Sequence, residues 1–279
     1  MEQSTEIIRS RQNRIVSEAA KLTDRKARER SRCFRFDGYK LLEEAVRSGL
    51  ALEAVLLRES SREALLDRLS ARCGSGALRD AERVLTVSDG IFDRISEEKS
   101  PEGVICIAKY IDKFQKIVTI YNDADFPAAG ERIVLLESVR DPLNVGAVIR
   151  SAAALGVDRL ILSADCADIY HPRAVRASMG TLFSQRIDRT ESLTGAIACL
   201  RRSGRRVYAA ALDPDAVRLG SFRAAPGDCV VIGNEGHGLS PEVLQACDRR
   251  VFIPIGARAE SLNAAVAAGI LMWEFSRTD

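Results

Sequence analysis

From residue 131 onward, short unbroken apolar runs alternate with longer segments whose apolar residues recur three or four positions apart. IVLLES, DRLILS, RVYAAAL, CVVIG and VFIPI are of the first kind. Runs of that length between polar or glycine residues predict strands buried on both faces. NVGAVIRSAAALG, AVRASMGTLFS, SLTGAIACLRRSG, PEVLQACD and SLNAAVAAGILMWEF are of the second kind and predict helices. Strands that alternate with helices predict a parallel α/β sheet covered on both faces, with ligands bound beyond the carboxyl ends of its strands.

The first 110 residues show a looser version of the same pattern. GYKLLEEAVRSG and EALLDRLSARC predict amphipathic helices, and EAVLL, VLTV and VICIA predict strands, so this stretch is expected to be a smaller α/β domain. The segment 111–130, rich in Asn, Asp, Pro and Gly towards its end, is expected to be a linker or a last strand of the first domain. The expected division is therefore 1–110, a linker at 111–130, and a second domain at 131–279.

A chain of 279 residues has room for two domains. No apolar run approaches the roughly 18 residues of a membrane span. MEQSTEIIRSRQNR lacks the apolar centre of a secretion signal, so a cytoplasmic protein away from membranes is expected. None of the seven cysteines forms a C-x-x-C pair, which argues for reduced thiols and against a metal site or a disulfide framework. The net charge of +2 rules out a polycation, but its distribution is uneven. Between residues 9 and 35 stand ten basic residues against three acidic ones, an excess that attracts phosphate backbones or simply solvates a helix face.

Three loops at strand ends carry unusual residues. ESVRDPLNVGAVIR places Asn144 at the opening of a helix and Arg150 six residues further on, where an anion partner or plain surface exposure would explain it. VVIGNEGHGLS has glycines in the order G-x-x-G-x-G, the reverse of the dinucleotide fingerprint, and it lacks the lysine of a phosphate loop. That loop announces a ligand without naming it. Its Glu235 sits between glycines, and its His237 is either a base or merely an exposed side chain. In IPIGARAESLNAAVAAGI, Ser261 and Asn263 open a helix of small residues, a capping pattern in its own right.

In this order and spacing, DPLNVGAVIRSAAALG, VVIGNEGHGLS and IPIGARAESLNAAVAAGI resemble the three motifs of the SpoU/TrmH family of RNA ribose 2′-O-methyltransferases, within the SPOUT superfamily. HPRAVRASMGTLF resembles the family's segment between the first two motifs, with His171 where an Asn is usual. The N-terminal domain resembles the substrate-binding domain of some members, related to kink-turn-binding ribosomal proteins, through RFDGYKLLEEAV and VLTVSDGIFDRISEEKSPEGVICIA.

The resemblance implies a deep trefoil knot in the second domain and S-adenosylmethionine as cofactor. It implies Ala210, Ala211, Leu212, Gly233, Ile253 and Leu262 around that cofactor, and Asn144, Arg150, Glu235, Ser261 and Asn263 as the catalytic set. It also implies a homodimer through the C-terminal domain, with Arg150 often lent to the partner's site, and no metal. Arg28, Arg30, Arg32, Arg35 and Arg176 are expected on RNA. The N-terminal domain points to large-subunit ribosomal RNA as substrate, with transfer RNA as the alternative target. A non-catalytic RNA-binding relative would have lost the polar set, and a nicotinamide-dependent oxidoreductase would need an early G-x-G-x-x-G that the chain lacks.

Overall fold

The computed structural model describes residues 2–113, 115–119, 121–126 and 130–277. The chain divides into two compact units, one of Met1–Ile111 with Tyr170–Ser184, the other of Asp112–Ile169 with Gln185–Asp279.

The first unit contains β1 (Glu2–Ile8), α1 (Arg14–Lys21), α2 (Arg25–Ser31), β2 (Cys33–Asp37), α3 (Tyr39–Arg47), β3 (Leu52–Arg58), α4 (Arg62–Cys73), β4 (Arg83–Val87), α5 (Asp89–Ile95) and β5 (Val104–Lys109). Its sheet has the order β1-β4-β3-β5-β2. β4 runs parallel to β1 and β3, whereas β5 is antiparallel to β3 and β2. Ile15, Val16 and Ala19 fall on one face of α1 and bury against Leu56, Ile105, Ile107 and Phe92.

The second unit contains β6 (Gln115–Ile117), β7 (Ile133–Leu136), α6 (Pro142–Ala154), β8 (Arg159–Ser163), β9 (Arg186–Thr190), α8 (Leu193–Arg202), β10 (Val207–Ala210), β11 (Val217–Arg218), β12 (Cys229–Ile232), α9 (Pro241–Ala246), β13 (Arg249–Phe252) and α10 (Ala264–Ser276). Helix α7 (Pro172–Ala177), between β8 and β9, belongs to the first unit. The sheet is parallel throughout, in the order β11-β13-β10-β12-β7-β8-β9-β6. Every residue of β7 and β12 is buried, as their unbroken apolar sequences require. The strand order reverses between β12 and β7, so the loops leaving these two strands run to opposite sides.

Four features differ from the sequence expectation. Within 111–130, β6 adds to the second sheet through β9 and does not extend the first. The sequence of β9, RIDRT, hides its burial because Asp188 is paired in the interior with Arg159 at 3.2 Å. Helix α6 starts at Pro142 with Asp141 as its cap, because proline suits the first helical position, where no amide hydrogen bond is needed. AVRASMGTLFS does not form one helix: α7 ends before Met179 and Gly180, both at positive φ. A Cβ on Gly180 would stand 2.6 Å from Cβ of Glu44, so only glycine permits that approach. Among the described residues no helix is long and apolar enough to cross a membrane.

Candidate active site

A cavity of about 400 Å³ lies at the carboxyl ends of β10, β12 and β13. Ala210, Ala211, Leu212, Gly233, Ile253 and Leu262 all line it, and Glu235, His237 and Ser261 stand on its wall. Leu239, Leu244 and Leu271 give it an apolar side. The backbone groups of Ile253 and Leu262 make no backbone hydrogen bond among the described residues, so main-chain donors and acceptors remain open there.

The glycine loop is a tight hairpin. Asn234 and Gly238 exchange backbone hydrogen bonds of 3.1 and 2.9 Å. The Oδ1 atom of Asn234 accepts from the amides of Gly236 at 2.8 Å and His237 at 3.2 Å, which folds the loop tip over that side chain. A Cβ on Gly233 would lie 2.5 Å from the carbonyl of Gly238, so the loop closes only on glycine. Two further groups tie it to the sheet. The carboxylate of Glu137 accepts from the Ser240 amide at 2.8 Å and its hydroxyl at 2.7 Å, and the Nδ2 of Asn234 donates to the Ser138 carbonyl at 2.8 Å.

Ser138 itself has φ +55°, which a non-glycine residue adopts only when its surroundings hold it. Its amide donates to Ser163 Oγ at 2.9 Å and its hydroxyl to Asp165 at 2.5 Å. Burial raises the Asp165 carboxyl, but hydrogen bonds from Ser138, Ser163 and Arg140 outweigh it and hold the group below its ordinary range. Glu137, Ser138 and Asn234 went unnoticed in the sequence. A carboxylate ending the wholly apolar run IVLL was the signal for the first.

Three of the five proposed catalytic residues form one hydrogen-bonded chain. Asn263 caps α10, its Oδ1 accepting from the amides of Ala265 at 2.9 Å and Val266 at 3.3 Å. That leaves its Nδ2 to donate to Asn144 Oδ1 at 2.9 Å, and the Nδ2 of Asn144 in turn donates to Oε1 of Glu235. The helix end therefore fixes the orientation of both amides, and only a donor faces the carboxylate. Ser261 lines the cavity without joining this chain. Arg150 stands apart, exposed, and its guanidinium makes no hydrogen bond or ion pair among the described residues.

The expected RNA-binding arginines of the first unit separate into two groups. Arg28 and Arg35 are each 1% exposed, which corrects their assignment to an RNA surface. Arg28 donates to the carbonyls of Leu22 and Thr23, both at 2.8 Å, closing the end of α1. Arg35 donates to the Ala19 and Ile95 carbonyls and grips Asp37 at 2.6 and 2.7 Å. Both are structural. Arg30 and Arg32 are exposed, the latter with its guanidinium 4.6 Å from the Tyr110 ring centre, and Arg176 is exposed beside Glu98. No disulfide joins the seven cysteines, and no group of three metal-ligating side chains gathers among the described residues.

Residues 131–273 match the SpoU rRNA methylase family, and residues 13–106 match an MRM3-like substrate-binding domain. The chain is similar to the 23S rRNA (guanosine(2553)-2′-O)-methyltransferase RlmP of Bacillus subtilis, at 26% identity over 95% of this chain and 97% of that one. It is similar to the AdoMet-bound rRNA methyltransferase of Sinorhizobium meliloti, with a TM-score of 0.78 and 29% identity over 98% of this chain and 97% of that one. The SpoU methyltransferase AviRb of Streptomyces viridochromogenes, in complex with AdoMet, gives a TM-score of 0.76 and 26% identity over 95% of this chain and 98% of that one. Joined to the cavity at these strand ends and the hydrogen-bonded chain that reaches its wall at Glu235, these matches lead to one conclusion: the chain belongs to the SpoU rRNA methylase family.

Proposed function

We propose that the protein transfers a methyl group from S-adenosylmethionine to a ribose 2′-hydroxyl of RNA, with large-subunit ribosomal RNA as substrate. The observation that carries the reading is the polar chain Asn263–Asn144–Glu235, which ends at Glu235 on the wall of the cavity at the carboxyl ends of β10, β12 and β13. The residues present fit the cofactor. Leu239, Leu244 and Leu271 offer an apolar side for its adenine, and the open backbone groups of Ile253 and Leu262 can meet its polar edges. When bound, S-adenosylmethionine supplies an electrophilic methyl group on a positively charged sulfur.

The chain's own residues place the hydroxyl and take its proton. With Oε1 of Glu235 held by Asn144, its second oxygen is left to accept from the hydroxyl. A guanidinium is a poor proton acceptor, and the Arg150 side chain instead suits a bidentate clamp on the target phosphate. Six residues of helix turn Arg150 about 240° around α6 from Asn144, so it projects from another face. We assign it to the partner's site in a homodimer. Support for that dimer comes from Val266, Ile270 and Trp273, an exposed apolar stripe along α10, and from Leu143 on α6, the helix α10 packs against.

The trefoil knot is proposed on the strand order, in which β12 enters between β10 and β7, and on family membership. The first unit, with exposed Arg30, Arg32 and Arg176, is assigned to RNA capture, and a cytoplasmic location follows from a ribosomal substrate. Mapping of 2′-O-methylation in total RNA from cells with and without the gene tests the reading. One position lost from large-subunit RNA is the expected result. A loss confined to transfer RNA would overturn the target, and no loss at all the activity. For the clamp, Arg150→Lys should keep partial turnover and weaken RNA binding. Abolished turnover with full RNA and cofactor binding would refute it.

A further inference from the structure

The first unit holds a cavity of about 600 Å³ that none of the chemistry above uses. Phe36, Leu41 and Pro172 give it an apolar floor, and Glu98, Arg173 and Arg176 surround it with charge. Its carboxylates are not equivalent. Both oxygens of Asp37 are held by Arg35, and one also accepts from Ser96 Oγ and the Glu97 amide. Glu97, the third carboxylate on its wall, is exposed to solvent. Glu98, whose side chain is only 10% exposed, interacts with the Glu102 amide and has one ion pair among the described residues, at 3.0 Å to an Arg176 that is 64% exposed. An exposed partner of that kind holds weakly and can swing aside. Arg173 is exposed, and its guanidinium makes no ion pair among the described residues.

We propose that this pocket takes one unstacked guanosine of the RNA, with the base edge on Glu98 and the phosphate on Arg173. The proposal rests on the methyltransferase reading and adds which nucleotide the first unit selects. A carboxylate is acceptor-only, with two oxygens side by side. Guanine alone offers two adjacent N–H groups on its Watson–Crick edge, at N1 and N2. Adenine and cytosine present one amine beside an acceptor nitrogen that would face the second oxygen, and uracil presents one N–H between two carbonyls. Single-stranded RNA exposes such edges once a base is splayed out, and apolar side chains then pack on its face. The cavity is of the size that small-molecule sites have.

Titrating 5′-GMP, 5′-AMP, 5′-CMP and 5′-UMP into the full-length protein, followed by amide NMR, tests the proposal. GMP is expected to bind about tenfold tighter than the others, moving the amides of residues 97–98, 171 and 173–176. Glu98→Gln should abolish the preference, and Arg173→Ala should weaken all four alike, while calorimetry shows unchanged S-adenosylmethionine binding in both variants. Equal binding of the four nucleotides, or a preference that survives Glu98→Gln, would overturn it. The two readings fail separately: guanosine selectivity in a protein that methylates no RNA would sink the activity and leave the pocket standing.

Discussion

Gly233→Ala puts the cofactor cavity to a quantitative test. The added Cβ would sit 2.5 Å from both the carbon and the oxygen of the Gly238 carbonyl and 2.7 Å from the Leu239 nitrogen. All three are backbone atoms, and ordinary contact begins at 3.4 Å, so the loop has to open by roughly 0.9 Å. Its two ends are tied by the paired Asn234–Gly238 hydrogen bonds, and Glu137 pins Ser240 just beyond, so the shift cannot be absorbed locally. Overpacking of this kind costs about 1–3 kcal/mol of stability. A misplacement near 1 Å in a binding constellation costs about 10²-fold, or about 2.7 kcal/mol. Gly236→Ala is the control in the same loop, since its Cβ would meet nothing closer than Asn234 Oδ1 at 3.5 Å and its φ is not left-handed. Calorimetry with S-adenosylhomocysteine should show an affinity about a hundredfold lower for Gly233→Ala and within about threefold of wild type for Gly236→Ala. Equal affinities for both variants would refute the claim that this crossing shapes the site.

Asn263→Ala removes the α10 cap, worth about 1 kcal/mol, and frees the Asn144 amide to rotate; kcat should fall while KM for S-adenosylmethionine holds, as steady-state kinetics would reveal. Asp37→Ala leaves the buried Arg35 charge unpaired and should cost about 3–5 kcal/mol in urea unfolding. Arg30→Ala, by contrast, should change stability by under about 0.5 kcal/mol and lower the salt dependence of RNA binding by about one counterion. Burial raises the Glu98 carboxyl; the charges of Asp37 and Glu102 add to the rise, while Arg176 and the Glu102 amide oppose it. Guanosine binding needs the carboxylate, so affinity should be full above the raised pKa and fade as pH falls through it. Fading should begin at a higher pH than the usual 4.5 of glutamate, as GMP titrations across pH would show.

The second unit was legible where burial is uniform. IVLL, RLILS and CVVI could only be strands between covered faces, and β7, β8 and β12 are those segments. The three motif loops were visible too, because glycine, asparagine and proline at strand ends carry local meaning. What escaped depended on partners far along the chain. Arg28 and Arg35 look like members of a solvated basic run until Leu22, Ala19, Ile95 and Asp37 are folded around them. The break at Met179–Gly180 answers to Glu44, 136 positions away in sequence, and β9 hides its burial behind the Asp188–Arg159 pair. In the site, Glu235 and Asn144 were readable as polar residues in loops. Their orientation was not, since it descends from the α10 amides through Asn263.

The central claim is that the polar chain and its cavity deliver a methyl group to a ribose oxygen. Purified protein, S-adenosylmethionine carrying a labelled methyl group and ribosomal RNA from cells lacking the gene test it most directly, with nucleoside mass spectrometry as the readout. The account predicts one labelled 2′-O-methylnucleoside, formed in proportion to the RNA and lost in Glu235→Gln. Label on a base, or none on RNA although the cofactor binds, would contradict it.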